Sequence, residues 1–148
     1  MQFTNSNISG RISNNFKEKR GDNIMNIVIP MAGAGSRFYN LGYKEPKPLI
    51  KIKGYPFFYY AAKSLTNYYN YNKLIFIGLK KHNENNILID TIKYYFKDAL
   101  IKLLDETPPG AVLTSREAIE LIDNNEPVIF NDCDHCFYSE EFRLNQHY

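Results

Sequence analysis

Residues 26–49 constrain the fold more than any other stretch of this chain. They read N-I-V-I-P-M-A-G-A-G-S-R-F-Y-N-L-G-Y-K-E-P-K-P-L, so a short apolar run ends at Pro30 and enters a loop that contains Gly33 and Gly35. Such a run is typical of a buried strand of a parallel sheet, and the loop that follows it then lies at the carboxyl edge of that sheet. The stretch therefore predicts an α/β protein.

The composition of this loop indicates a phosphate site. Glycines allow backbone N–H groups to approach an anion closely, and Arg37 and Lys47 add two cations. Lys47 lies between Pro46 and Pro48, which restrict the backbone on both sides and so reduce the entropy that is lost when the side chain contacts a ligand.

Two well-known phosphate loops do not fit. A dinucleotide-binding loop requires G-x-G-x-x-G, and here Phe38 occupies the position of the third glycine. A Walker loop ends in G-K-[ST], a sequence that does not occur in the chain.

What remains is G-x-G-x-R-F followed by K-P-L, and then by I-K-I-K-G-Y-P-F at residues 50–57. This two-part motif resembles the signature of the sugar-nucleotide pyrophosphorylase and cytidylyltransferase superfamily. The resemblance implies a Rossmann-like three-layer αβα sandwich with a mainly parallel sheet. It also implies a nucleotidyltransferase, which joins an NTP to a phosphorylated small molecule. Residues expected to bind the nucleotide in this first part are Met31, Ala32, Gly33, Ala34, Gly35 and Ser36.

Length and composition predict one soluble domain. The chain has 148 residues, of which 44% are hydrophobic and 23% charged, and its net charge of +2 gives no reason to expect nucleic acid or a membrane as a partner. Two cysteines are too few for a disulfide framework, which favours the cytoplasm. Residues 1–24 are polar and are expected to form a flexible N-terminal extension, so the domain is predicted to cover residues 25–148.

Hydrophobic periodicity predicts alternating strands and helices after the motif. Strands are expected at residues 74–79 and 99–104, and helices at residues 56–65, 83–96 and about 111–123. The inward residues of the first of these helices are predicted to be Phe57, Tyr60, Ala61 and Leu65, and those of the second Leu88, Ile92, Tyr95 and Phe96. His82 has no metal-spaced partner and is predicted to be a solvated loop residue.

The stretch D-E-T-P-P-G-A-V-L-T at residues 105–114 follows the predicted third strand and so lies at the carboxyl edge as well. A glycine here permits the close approach of a flat base. By resemblance, Thr107, Gly110 and Ala111 receive the base and ribose of the nucleotide. The alternative is a Pro-Pro-Gly turn that only starts a helix, and the paired prolines depart from the family pattern, which leaves the identity of the base open.

The last apolar strand runs into N-D-C-D-H-C at residues 131–136. Paired carboxylates at a strand end suit Mg²⁺, which takes one or two carboxylates together with phosphate oxygens and waters. By resemblance an aspartate closes this strand and binds the metal; Asp132 and Asp134 both fit, and Asp134 is preferred. Cys133 and Cys136 form a C-x-x-C without a second pair, so they are interpreted as incidental thiols.

The resemblance also implies the reaction. A phosphate or phosphonate oxygen of the acceptor attacks the α-phosphorus of the NTP and pyrophosphate leaves. Lys47 then contacts the α-phosphate, Arg37 balances the charge of the pyrophosphate, and Asp134 holds Mg²⁺. CTP, UTP or dTTP is the expected donor, and a phosphorylated sugar or small phosphorylated alcohol the acceptor.

Members of this superfamily continue past the metal aspartate, and that later half supplies the acceptor pocket. The chain is therefore expected to represent only the nucleotide-binding half, with the acceptor half missing and a homo-oligomer possible. Family membership suggests surface-polysaccharide precursor synthesis. Two alternatives remain open: an inactive or partial NTP-binding remnant, and a glycosyltransferase that uses Asp132-x-Asp134 to bind a nucleotide-sugar.

Overall fold

The computed structural model describes residues 24–122 and 125–138, so the predicted N-terminal extension lies almost entirely outside the described residues. The strands and helices of the described part are, in chain order, β1 (Met25–Pro30), α1 (Ser36–Asn40), β2 (Lys51–Ile52), β3 (Tyr55–Pro56), α2 (Phe57–Thr66), β4 (Tyr71–Leu79), α3 (Ile87–Tyr95), β5 (Leu100–Leu104), α4 (Ala111–Arg116) and β6 (Val128–Phe130). Short 3-10 turns occupy Lys47–Leu49, Lys80–His82 and Glu84–Asn86.

Four of these strands form a parallel sheet in the order β5-β4-β1-β6, and β2 and β3 form a small antiparallel hairpin. In the register of the parallel sheet, Ile29 of β1 lies beside Phe76 of β4, and Phe76 lies beside Ile101 of β5. Because all four strands run in one direction, the loops that follow them meet at one edge. The α/β fold with a parallel sheet that the sequence predicts is confirmed.

The larger hydrophobic core lies on the face of the sheet that α2 and α3 cover. Phe58 of α2 is fully buried and its ring meets that of Phe76 edge to face, with 5.5 Å between the ring centroids. Leu88 and Ile92 of α3 are also fully buried in this cluster. Complete burial of one such side chain stabilises a fold by about 1.5–3 kcal/mol, so this face holds the two long helices in place.

A smaller core lies on the opposite face, where Val28, Ile75 and Ile77 of the sheet contact Ala118 beyond α4. Successive strand residues point to opposite faces, and β1 is buried along its whole length, which explains why residues 27–29 are continuously apolar. Helical layers on both faces give the predicted three-layer arrangement.

Helix α2 is rotated relative to the prediction. Ala61 and Leu65 are fully buried as expected, but Phe58 replaces Phe57 in the core, and Tyr60 is only half-buried. Phe58, Ala61 and Leu65 follow the i, i+3, i+7 spacing of one helical face. Since aromatic residues occupy both possible faces of this segment, periodicity alone did not distinguish them. In α3 the expected inward residues are buried except Tyr95, which is half-buried.

Helix α4 ends at Arg116, whereas the sequence predicts a helix to about residue 123. The Lys102 ammonium of β5 donates to the carbonyl oxygen of Glu117 at 3.0 Å. This carbonyl would accept from the N–H group of Leu121 in a continuing α-helix, but that N–H group donates to Ala118 at 2.8 Å instead. The chain therefore continues after α4 in tighter turns, and a cation from β5 satisfies the Glu117 carbonyl.

His82 is not a solvated loop residue, so that prediction is wrong. It lies in the 3-10 turn after β4 with 7% of its surface exposed, and its Nδ1 has no hydrogen-bond partner within the described part of the chain. Burial, reinforced by the charge of Lys81, lowers the pKa of His82, so the neutral imidazole is favoured. The polar sequence K-K-H concealed this burial because only the third residue turns inward.

Candidate functional site

A cavity of about 360 Å³ lies at the carboxyl edge of the parallel sheet. Its walls come from four separate segments: the loop after β1, the 3-10 turn that contains Lys47, the loop between β5 and α4, and the turn after β6. The residues that line it are Pro30, Met31, Ala32, Gly33, Lys47, Pro48, Thr107, Pro108, Gly110, Ala111, Thr114, Asp132, Cys133, Asp134 and His135. The parallel topology therefore gathers these segments at one place.

The loop after β1 has backbone donors without a backbone acceptor in the described part of the chain, and two of its residues, Ala32 and Gly33, line this cavity. The N–H group of Met31 donates to the carbonyl oxygen of Ile77 and completes the pairing with β4. Among the described residues, no backbone carbonyl accepts from the N–H groups of residues 32–35. A Cβ added at Gly33 would meet no heavy atom within 4 Å, so the loop is open where it faces the cavity. Successive N–H groups of this kind suit an anion.

Gly35 joins the two halves of the sequence motif. Its φ angle is 67°, in the left-handed region, and a Cβ added there would lie 3.2 Å from the Cβ of Lys47. Glycine is therefore favoured here both by the backbone conformation and by the close approach of the segment that carries Lys47. Gly35 itself does not line the cavity. The sequence assigned it to phosphate approach, whereas its contacts in the structure position the lysine.

Lys47 forms the central ion pair of the cavity. Its Nζ lies 2.8 Å from Oδ2 of Asp134, and the two side chains are 24% and 33% exposed. The same Nζ lies 5.9 Å from the centroid of the Phe38 ring, within the range of a cation–π contact. One cation and one carboxylate from two separate segments thus meet where a phosphate and a metal ion would each find a partner of opposite charge.

The turn after β6 carries the second carboxylate. The N–H group of His135 donates to the carbonyl oxygen of Asp132 at 3.0 Å, which closes the turn. Nδ1 of His135 lies 3.7 Å from Oδ2 of Asp132. In the described residues, no three His, Cys, Asp or Glu side chains gather as a metal site. A pair of carboxylates nevertheless suits Mg²⁺, because phosphate oxygens and waters supply its remaining ligands.

The two cysteines differ in exposure, and both are free thiols. Cys133 is buried behind the turn, and this burial raises its pKa to about 12 although Lys47 nearby lowers it. Cys136 is exposed, and partial desolvation raises the pKa of its thiol as well. Because the thiolate is the form that attacks or binds a metal, neutral thiols give this C-x-x-C no evident chemistry.

The loop between β5 and α4 forms the opposite wall, with Thr107, Gly110 and Ala111 on the cavity as the sequence predicts. Gly110 has a φ angle of 107°, which favours glycine, and a Cβ added there would meet nothing within 4 Å. The buried hydroxyl of Thr114 donates to the Gly110 carbonyl at 3.2 Å and steadies the loop. Because Gly110 carries no side chain and no described atom lies within 4 Å of an added Cβ, this wall leaves room for a flat ring.

Four of the residues chosen from the sequence do not line the cavity. They are Ala34, Gly35, Ser36 and Arg37. Arg37 lies exposed on α1, so its guanidinium would have to extend over the mouth of the cavity to reach a bound phosphate. Sequence reasoning missed other lining residues, namely Pro30, Pro48, Pro108, Thr114, Cys133 and His135. Of these, Thr114 was recognisable in principle, because it lies one helical turn after Gly110.

Comparisons with known proteins bear on the fold of the chain. No protein-family model matches the chain. Among curated proteins, the chain is 30% identical over 114 residues to the bifunctional protein GlmU of Methanococcus maripaludis, a match that covers 73% of this chain and 26% of GlmU. Among solved structures, it is similar to the nucleoside-diphosphate-sugar pyrophosphorylase from Vibrio cholerae RC9, with a TM-score of 0.55 and 21% identity over 76% of this chain and 50% of that one.

The structural match shows that the chain has the fold of a nucleoside-diphosphate-sugar pyrophosphorylase. Together with the sequence match, it supports the resemblance to a sugar nucleotidyltransferase over the part of those proteins that the chain spans. The chain spans about a quarter of the curated relative and half of the solved structure. Within the described residues, no helix is both long and apolar enough to cross a membrane.

Proposed function

We propose that this chain is the nucleotide-binding part of a nucleotidyltransferase that transfers an NMP group from an NTP to a phosphorylated acceptor and releases pyrophosphate. One observation carries the proposal: a single cavity combines free backbone N–H groups, the Lys47–Asp134 pair and the glycine-shaped wall around Gly110. Each part matches one portion of a nucleotide, in the order triphosphate, metal-bridged phosphates and base.

The backbone donors of residues 32–36 would hold the phosphates of the NTP, and Lys47 would contact the α-phosphate. Lys47 now has Asp134 as its partner, so nucleotide binding would exchange a carboxylate for a phosphate oxygen on the same ammonium group. This exchange keeps the charge of Lys47 balanced before and after binding. Arg37 would add positive charge at the β- and γ-phosphates from the outside of the cavity.

In the reaction, an oxygen of the acceptor's phosphate or phosphonate group would form a bond to the α-phosphorus while the bond from that phosphorus to the bridging oxygen of pyrophosphate breaks. The electron pair leaves with pyrophosphate. Negative charge develops on the α-phosphoryl oxygens, where Lys47 and the backbone donors are placed to stabilise it. The protein forms no covalent bond in this step.

The carboxylates fit a role in magnesium binding. Asp134 and Asp132 both line the cavity, and one or two carboxylates are what Mg²⁺ takes from a protein when phosphates supply other ligands. When bound, Mg²⁺ would supply charge neutralisation across the phosphates. We prefer Asp134 as the ligand, because its carboxylate already lies beside the ammonium group that we assign to the α-phosphate.

The substrates are proposed by resemblance. The solved structure that this chain resembles is named as a nucleoside-diphosphate-sugar pyrophosphorylase, which supports CTP, UTP or dTTP as donor and a sugar phosphate or small phosphorylated alcohol as acceptor. A place in surface-polysaccharide precursor synthesis follows from the same source. The acceptor pocket is not assigned to any of the described residues.

The test is pyrophosphate release by the purified chain with Mg²⁺, using the five common NTPs against a panel of sugar phosphates and small phosphorylated alcohols. We expect release that depends on one NTP and one acceptor, and a larger loss of rate in Asp134→Asn than in Asp132→Asn. Binding of one NTP without any product would indicate a partial NTP-binding protein instead. Turnover of a nucleotide-sugar without pyrophosphate would indicate a glycosyltransferase that uses Asp132 and Asp134.

A further inference from the structure

Asn131 stands between the last strand of the sheet and the turn that carries both carboxylates. Its backbone N–H group donates to the carbonyl oxygen of Val28 on β1 at 3.1 Å. Its side-chain Nδ2 donates to the carbonyl oxygen of Ala61 in α2 at 3.1 Å and to that of His135 at 3.0 Å. One residue therefore connects the sheet, the covering helix and the far end of the turn.

The chemistry of these bonds requires an amide. A primary amide nitrogen has two protons, and here each proton has one carbonyl acceptor. Because both partners are carbonyl oxygens, only the nitrogen end of the side chain satisfies both. An aspartate of the same shape would turn oxygens toward two other oxygens. A serine is too short to reach acceptors on both sides.

The position of Asp134 depends on this arrangement. The turn closes through the bond from the His135 N–H group to the Asp132 carbonyl, and the Asn131 side chain donates a hydrogen bond to the His135 carbonyl. Asp134, between these two anchored residues, then places its carboxylate 2.8 Å from Lys47. Asn131 does not itself line the cavity.

We propose that Asn131 is a positioning residue: it attaches the turn after β6 to α2 and so holds the metal-binding carboxylates of that turn in place. The inference rests on the proposed function, since it concerns the Mg²⁺ site assigned there. The role is indirect: Asn131 touches neither nucleotide nor metal, and acts through the backbone of the turn. Its loss should weaken metal binding while leaving the backbone donors of the loop after β1 unchanged.

The experiment compares metal binding with nucleotide binding in the same variants. Mn²⁺ alone is titrated into the protein and the free ion is followed by EPR, and the binding of CTP, UTP and dTTP is measured separately in EDTA. In Asn131→Asp we expect Mn²⁺ affinity to fall about 10- to 100-fold, the range for residues that orient metal ligands. Nucleotide binding in EDTA should be little changed. Asn131→Ser, which retains one donor, should fall between the wild type and Asn131→Asp.

The matched control is Asn85→Asp, the same substitution at an exposed residue before α3. Thermal unfolding of each variant shows whether it folds. If Asn131→Asp does not fold, Asn131→Ser is used as the test variant instead. Equal losses of Mn²⁺ and nucleotide affinity would show that Asn131 has only a structural role. Unchanged Mn²⁺ affinity in the variants would overturn the proposal. So would the absence of Mn²⁺ binding in the wild type. If the wild type releases pyrophosphate and only the Mn²⁺ result fails, the proposed function stands without this role. If the wild type binds no nucleotide, the function itself fails.

Discussion

The two edges of the central sheet carry cavities of similar size but different chemistry. The cavity at the carboxyl edge has a volume of about 360 Å³, and one at the amino edge, between the ends of α2 and α3, has about 420 Å³. The larger one is lined by Lys63, Lys97 and Asp98 together with aromatic side chains. Volume alone would select the amino edge, so it is a poor guide to the site.

What separates the two cavities is how their polar groups are used. At the amino edge, the ammonium group of Lys93, which is not a lining residue, donates to the carbonyl oxygens of the lining residues Lys97 and Ala99 at 3.1 and 2.7 Å, so a side chain of the fold already satisfies two backbone acceptors there. At the carboxyl edge, the N–H groups of residues 32–35 have no backbone acceptor among the described residues, and Lys47 forms an ion pair with Asp134 in the lining of the cavity. A candidate site is therefore distinguished from a purely structural cavity by polar groups that the fold does not use in its own hydrogen bonds.

The largest expected effect is that of Lys47→Met. Loss of a donor aimed at developing charge costs about 3–4 kcal/mol, so turnover should fall roughly 10²- to 10³-fold. The ion pair is partly exposed, and such pairs contribute at most about 1 kcal/mol to folding, so the midpoint of urea unfolding should hardly move. Pyrophosphate release and urea unfolding measure the two quantities.

The control for this substitution is Lys80→Met. Nζ of Lys80 lies 2.7 Å from Asp105, also beyond strand ends at the carboxyl edge, but this lysine does not line the cavity. It should retain full activity. Equal losses of activity in Lys47→Met and Lys80→Met would mean that the total charge of this edge matters, and that Lys47 has no special role in turnover.

The sequence predicted the contents of the carboxyl edge better than its internal contacts. The apolar run at residues 27–29 and the strand ends were enough to place Gly33, Gly110 and Asp134 at one edge, because parallel strands bring their following loops together. Lys47 follows no strand end, and only the two-part motif and its family resemblance associated it with this edge. Whether Gly35 faced a ligand or Lys47 could not be predicted, since a glycine pair fits both. The burial of His82 depended on the path of a turn, which polar composition does not encode.

Gly35→Ala is expected to have the next largest effect. The left-handed conformation costs a residue with a Cβ about 1–2 kcal/mol, and here the added methyl group would also lie 3.2 Å from the Cβ of Lys47. Gly42→Ala is the matched control, because Gly42 has a φ angle of 90° with nothing within 4 Å of an added Cβ. Urea unfolding should show a larger loss in Gly35→Ala, together with reduced pyrophosphate release. If both variants lose the same stability and activity, Gly35 does not position Lys47.

A smaller effect should come from His82 as the pH falls. Burial lowers the pKa of this imidazole in the folded state, so below an ordinary histidine pKa of 6.5 the unfolded chain binds a proton that the folded chain does not. The stability of the wild type should therefore decrease below pH 6.5, and it should decrease less in His82→Leu, which cannot titrate. Unfolding free energies at pH 5 and pH 7.5 measure this, and identical pH dependence in the two proteins would contradict the assignment.

The smallest expected effect is the one that tests the comparison of the two edges most directly. Lys63→Met and Lys97→Met remove cations from the larger cavity and should leave pyrophosphate release unchanged, because neither lysine lies at the edge to which the strands deliver their loops. Lys63 lies 6.0 Å from the Tyr59 ring centroid, and both residues are half-buried. A cation–π contact that stays in touch with solvent contributes about 0.5–1 kcal/mol, so only a slight loss of stability is expected. Reduced activity in either variant, with unfolding unaltered, would show that the amino edge also takes part in function. Cations that lie beside a recess and form no ion pair with another described residue would then also count as groups available for function.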